Sequence, residues 1–214
     1  MVIYSHLNFY NLFWIFFIGC IGGVLIETIW CFLRFHRIES RKGLVFGAFN
    51  LVYGFGALIM TLSLSWLCGK RDLWVFLLGS LIGGAFEYIC SFIQEKLFGT
   101  VSWDYKKFPL NLHGRVTLLY SLFWGVLSVV WVKDVSPHLI SLADRLLNRL
   151  GVTATWVLFA FMIFDTVVSA LAAYRARVRH QNAEAKGGKL WNFFDRHFSD
   201  ERMKRIYPNM RYTK

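Results

Sequence analysis

Along the chain, apolar residues gather into five stretches separated by short clusters of cations. The stretches cover about 9–33, 44–68, 73–93, 112–132 and 152–174, and the fourth is free of Lys and Arg only from residue 116 onward. A helix of roughly 17–25 apolar residues crosses a hydrocarbon core about 30 Å thick. The pattern therefore predicts an all-α integral membrane protein with five transmembrane helices. Trp66, Trp74, Trp131 and Tyr174 stand at span edges, where amphipathic rings suit the interface. The first stretch is too long for a signal peptide, no Lys or Arg precedes it and no small-residue cleavage site follows, so it reads as a retained helix. Between the fourth and fifth stretches, Ser136 and Pro137 form a helix-start signal. Leu139, Ile140, Ala143, Leu146, Leu147 and Leu150 then recur at helical spacing until Gly151. This predicts an amphipathic helix over 137–150, lying on the outer face or capping the soluble side.

Composition sharpens the picture. Of 214 residues, 56% are apolar and 17% charged. Soluble domains carry about a quarter charged residues, and disordered chains are far less apolar, so both classes are excluded. The net charge of +11 admits a nucleic-acid reading, but the positions of the cations argue against one. Of the 24 Lys and Arg residues, 19 fall in the first loop, the third loop and the tail 175–214. The positive-inside rule then places the N-terminus outside and the C-terminus in the cytoplasm of a bacterial inner membrane. The basic tail reads as an anchor at anionic membrane lipid, with no nucleic-acid role.

The chain also repeats itself. Gly19, Gly23 and Glu27 in the first span recur as Gly79, Gly83 and Glu87 in the third. Ile29 and Phe32 recur as Ile89 and Phe92, and Gly47 with Tyr53 has the same spacing as Gly114 with Tyr120. Two tandem helical hairpins plus a fifth helix are therefore expected. Because two helices separate equivalent pairs, the hairpins should be related by a pseudo-two-fold axis along the membrane normal. The glycines four apart share a helix face and permit close backbone approach, a packing role that leaves the glutamates unexplained.

Charged groups inside spans are costly, about 2.5–3.5 kcal/mol each on insertion scales. Glu27, Glu87 and Asp165 all fall toward the cytoplasmic half of their helices, with Asn50, Asn111, His113 and Arg115 at a similar depth. Their convergence predicts a shared polar cavity open to the cytoplasm, with Arg115 as counter-charge to the two glutamates. The bland alternative is that Arg115 neutralises one glutamate and the others serve as hydrogen-bonded packing. Glu95, beside Lys96, reads as interfacial. The third loop adds Trp103 and Asp104, which suit ligand recognition or membrane anchoring equally.

The Gly-x-x-x-Gly-x-x-x-Glu stretches ending at Glu27 and Glu87, with Trp103-Asp104-Tyr105 and Asn111-Leu112-His113-Gly114-Arg115, mark a resemblance. They resemble the CmpB-like group, a small bacterial membrane family designated ABC-transporter permeases. The resemblance covers roughly 10–135 and leaves the fifth span and the tail outside it. It implies a permease role and carries over Glu27, Glu87, Trp103, Asp104, Asn111 and Arg115, while Lys106 and His113 inherit no role.

No G-x-x-x-x-G-K-[ST] loop occurs, so an ATPase would be a separate partner chain. The four cysteines lack C-x-x-C pairing and read as small apolar residues, and no cofactor or metal is expected. The leading expectation is a membrane transport component whose substrate or ion is bound by Glu27, Glu87, Arg115, Asn111, Asp104, Trp103, Asn50 and Asp165. Five spans are few for a transporter, so a homodimer or partner chain is expected. The alternatives are a lipid-modifying enzyme, with Glu27 or Asp104 as base and Arg115 as phosphate clamp, and a structural or regulatory subunit.

Overall fold

The computed structural model describes residues 7–181 and 188–212. Helix α1 (Phe9–Phe35) starts at Asn8, whose side chain accepts the Tyr10 and Asn11 amides while Asn11 returns the bond to the Asn8 amide. This satisfies donors that a helix start otherwise leaves open. Helix α2 (Leu51–Leu64) is capped by Asn50 and tightens into a 3-10 turn ending at Leu67. Helix α3 (Asp72–Phe98) closes on Gly99. A short loop follows, with strands β1 (Thr100–Val101), β2 (Asn111–Leu112) and β3 (Val116–Thr117). Helix α4 (Leu118–Val130) then passes through a π-helical turn, Trp131–Val135, into α5 (Ser136–His180). At Gly151, φ 77° and ψ 177° break α5 into two parts, a conformation that glycine adopts without Cβ strain.

Three helical stretches, Phe9–Phe35, Asp72–Phe98 and Leu118–His180, are long and apolar enough to cross a membrane, while Leu51–Leu67 is apolar but shorter. Their directions follow from contacts. Phe13 and Trp14 near the start of α1 cluster with Ile140 and Ala143. Leu64 and Leu67 cluster with Val75 at the start of α3 and Val132 after α4. At the other end, Val45 packs on Ala172 and Ala176, and Arg177 donates to the Leu97 carbonyl. So α1, α3 and the second part of α5 run one way, and α2 and α4 the other.

Two helix starts differ from expectation. Residues 43–48 are not helical, so α2 begins at Leu51 rather than near residue 44. The reason is a rival set of acceptors: Asp165 takes the Phe46 and Gly47 amides at 3.2 and 2.7 Å, and Ser169 takes the Val45 amide at 2.9 Å. Irregular backbone inside a membrane protein survives only when protein satisfies it in this way. Likewise α4 begins at Leu118, because 111–117 form the β2–β3 hairpin. Its loop residues His113 and Gly114 both have positive φ, and the Arg115 amide closes the turn by donating to the Leu112 carbonyl at 3.0 Å.

The segment 136–150 is helical, and its stripe Leu139, Ile140 and Ala143 packs against α1, while Asn11 donates to Asp144 at 2.6 Å. The tail also turns back onto the helices. Helices α6 (Lys189–His197) and α7 (Asp200–Ile206) bury Phe194, Phe198, Met203 and Ile206 against α5 and Val45. Strand β4 (Arg211–Tyr212) pairs antiparallel with β1.

Candidate functional site

The two hairpins pack through matching contacts. In α1–α2, a Cβ at Gly23 would lie 2.1 Å from the Tyr53 ring, one at Gly19 2.7 Å from Ala57, and one at Gly54 2.4 Å from Cys20. In α3–α4, a Cβ at Gly83 would lie 2.4 Å from Trp124, one at Gly79 2.0 Å from Ser128, and one at Gly125 2.2 Å from Ser80. Positions 19, 20 and 23 thus answer to 79, 80 and 83, and positions 53, 54 and 57 to 124, 125 and 128. Trp124, not Tyr120, holds the place equivalent to Tyr53. The sequence spacing from Gly47 and Gly114 misplaced it by four residues, because the loops before α2 and α4 differ in form.

Each hairpin carries one carboxylate beside its large ring. Glu27 accepts the Tyr53 hydroxyl and pairs with Arg41 at 3.2 Å. Glu87 accepts the Tyr105 hydroxyl at 2.8 Å and the Trp124 indole N–H at 3.3 Å. Among the described residues, Glu87 has no cation in ion-pair contact. Burial and the Glu87 charge hold the Tyr105 phenol well above its ordinary range, so it remains a donor.

The two arginines also correspond. Arg41 donates to Cys31 Sγ at 3.2 Å, and Arg115 donates to Ser91 Oγ at 3.4 Å, sites sixty residues apart on α1 and α3. They then diverge. Arg41 turns to Glu27 and Glu39, whereas Arg115 pairs with Glu95 and lies 5.7 and 5.5 Å from the Tyr88 and Phe92 ring centroids. The partner of Arg115 is therefore the acid that reads as merely interfacial in the sequence.

The remaining expected residues hold backbone. Asp165 is fully buried and fastens residues 46 and 47. Asn50 caps α2 and donates to the Arg41 carbonyl at 3.2 Å. Trp103 donates to the Arg115 carbonyl at 2.9 Å, Asp104 accepts the Lys106 amide at 3.0 Å, and Asn111 accepts the Gly114 amide at 2.8 Å. Arg115, Trp103, Asp104 and Asn111 thus assemble in one loop, and Tyr105 of that loop reaches Glu87. Asn50 joins Glu27 through Arg41, and Asp165 stands apart from both sets of contacts.

Arg41, Tyr53, Tyr105 and Trp124 complete the candidate site, although the sequence alone assigns none of them a place in it. In the sequence Arg41 is one of the cations of the first loop. Its kinship to Arg115 becomes visible once Cys31 is aligned with Ser91. Beside Glu87, a cleft of about 380 Å³ opens between Tyr120, Phe123, Trp124 and Leu127.

No curated protein and no solved structure matches the chain. A family model described as "Putative ABC-transporter type IV" matches residues 14–170, reaching past the fourth helix into the second part of α5. The chain belongs to this ABC-transporter-type family, the CmpB-like group.

Proposed function

We propose that the chain is the membrane-embedded, permease-like component of a transport system in the bacterial inner membrane. Helices α1, α2, α3, α4 and the second part of α5 make five crossings, with the N-terminus outside and the tail in the cytoplasm. The stretch 118–180 would run about 95 Å as one straight helix, roughly three times the hydrocarbon thickness, so the breaks at 131–135 and Gly151 must turn it back. The alternating helix directions support the same count. The α1–α2 and α3–α4 hairpins descend from one duplicated unit and face each other about an axis along the membrane normal.

The carrying observation is that matching hairpins each hold a carboxylate and that, among the described residues, only Glu27 has a cation in ion-pair contact. Arg41 neutralises Glu27, which makes that site a structural member. Glu87 keeps its acceptor oxygens beside a cleft, which makes it the working group. Energy comes from a separate ATPase chain, in keeping with the family and with the missing phosphate loop in this sequence. The lipid-enzyme alternative draws less support: Arg115 is held by Glu95, and Asp104 is spent on its own turn.

Membrane vesicles from cells expressing the wild-type chain or Glu87→Gln test this reading. ATP-dependent change in the vesicle solute pool, followed by mass spectrometry, should include a species that moves with the wild type only. Lipid headgroup turnover with no solute movement would overturn it.

A further inference from the structure

The divergence of the two arginines gives the second hairpin a property the first lacks. Glu95 draws Arg115 away, and the equivalent place on α1 is Phe35, which offers Arg41 no such rival. Among the described residues, Glu87 is therefore bonded by the neutral donors Tyr105 and Trp124 alone. A carboxylate has about four acceptor positions. Two are used here, and the group still lines the cleft.

The cleft walls restrict what can neutralise it. Around Glu87 stand Tyr120, Phe123, Trp124 and Leu127, of which Tyr120 alone adds a side-chain oxygen, and the nearby Tyr105 hydroxyl is already engaged in donating to Glu87. Calcium-like ions take about six to eight oxygen ligands, and magnesium keeps most of its water, so this wall suits neither. Aromatic faces attract a cation that has shed its water, most strongly one whose charge is spread over carbon groups. Tyr120 is itself fixed by stacking on Tyr105, with ring centroids 4.7 Å apart, so the wall is built before any ligand arrives. Phe123 and Leu127 are half exposed at the mouth, which leaves an apolar approach.

We propose that the Glu87 cleft binds an apolar organic monocation of the ammonium type. Its charge rests against the Glu87 carboxylate, and its body lies on Tyr120, Phe123 and Trp124. This rests on the transport reading above and names the substrate class of that site. The same chemistry can come from a free alkylammonium or from the amine headgroup of a lipid.

The test uses the full chain purified in an uncharged maltoside detergent, with radiolabelled tetraphenylphosphonium as probe in equilibrium dialysis. Tetraphenylborate, of the same shape and opposite charge, is the control. Saturable phosphonium binding is expected in wild type, reduced at least tenfold by Glu87→Gln and several-fold by Trp124→Phe. The borate should show no such dependence on Glu87. Displacement by short-chain phosphatidylethanolamine assigns the headgroup source, and displacement by tetraethylammonium alone assigns a free cation. Equal binding of phosphonium and borate to the wild type would reduce the site to a greasy groove and overturn the proposal, even if both variants failed to fold. So would phosphonium binding unchanged in Glu87→Gln. Binding needs no transport: intact solute movement without phosphonium binding removes only the cation assignment. Intact binding without solute movement removes only the transport reading.

Discussion

Glu27 and Glu87 occupy matching places and differ in what happens when the charge is removed. Replacing Glu27 with Gln leaves the largely buried Arg41 without one of its two carboxylate partners. Removing one member of a buried pair costs about 3–5 kcal/mol, but Glu27 is about a third exposed and Glu39 still binds Arg41, so about 1–2 kcal/mol is the fair expectation. Adding Arg41→Gln should restore much of that loss, whereas Glu87→Gln should leave thermal stability unchanged or raised. A melting series on the three variants checks the contrast, and equal losses for both glutamates would contradict it. Gly23→Ala should cost about 1–3 kcal/mol, because its methyl group displaces the Tyr53 ring that donates to Glu27. At this scale the sequence revealed the acids and the glycines, since a charge in an apolar run and a four-residue repeat are local signals. It could not reveal which arginine serves which acid: that choice turns on Glu95, twenty residues from Arg115 in the chain.

Elements follow the same division between local and distant causes. Apolar runs announced α1 and α3, whose 27-residue lengths are limited by caps close in sequence. The run from 44 to 50 looked like more helix because its side chains are as apolar as those of α2. Its backbone is instead fastened to Asp165 and Ser169, more than a hundred residues away, and hydropathy carries no trace of that bond. The same loop accepts the tail, since the Tyr207 hydroxyl donates to the Gly43 carbonyl at 3.1 Å. Asp165→Ala should therefore free two amides at once, at a cost of about 3 kcal/mol for lost bonds to a charged acceptor. Hydrogen exchange should quicken first at Phe46 and Gly47, then in α7 beneath them. Exchange that quickened only within α5 would show the carboxylate serving its own helix instead.

Over the whole molecule, the basic residues of the tail region have a structural use of their own. Two tail acids and two arginines at the end of α5 form a clip that brings the tail under the helices. Asp195 bonds Arg175 at 2.6 and 2.9 Å and Arg179 at 2.7 Å, and Asp200 also bonds Arg179. Glu201 is drawn into the same field, its carboxyl held below the usual range chiefly by the Ser199 hydroxyl. The Arg175 bond, then that of Arg179, lowers the Asp195 carboxyl from 3.8 to about 2. A carboxyl depressed in the folded state contributes stability that is complete above its unfolded value and lost as pH falls through its folded one. The clip should therefore hold at neutral pH and open only between about pH 4 and pH 2. Trp191, whose ring centroid lies 5.6 Å from the Arg175 guanidinium, provides a local reporter. Asp195→Asn should give the released Trp191 emission already at neutral pH and remove the step seen on acidification. If the variant keeps the wild-type step, other carboxylates hold the tail. If it shows the released signal at pH 7 while Glu87-dependent binding persists, the clip positions the tail and leaves the α3–α4 cleft intact. That separation follows from the contacts, because the described part of the tail packs on α5, Val45 and β1, whereas the cleft is lined by residues of α3 and α4.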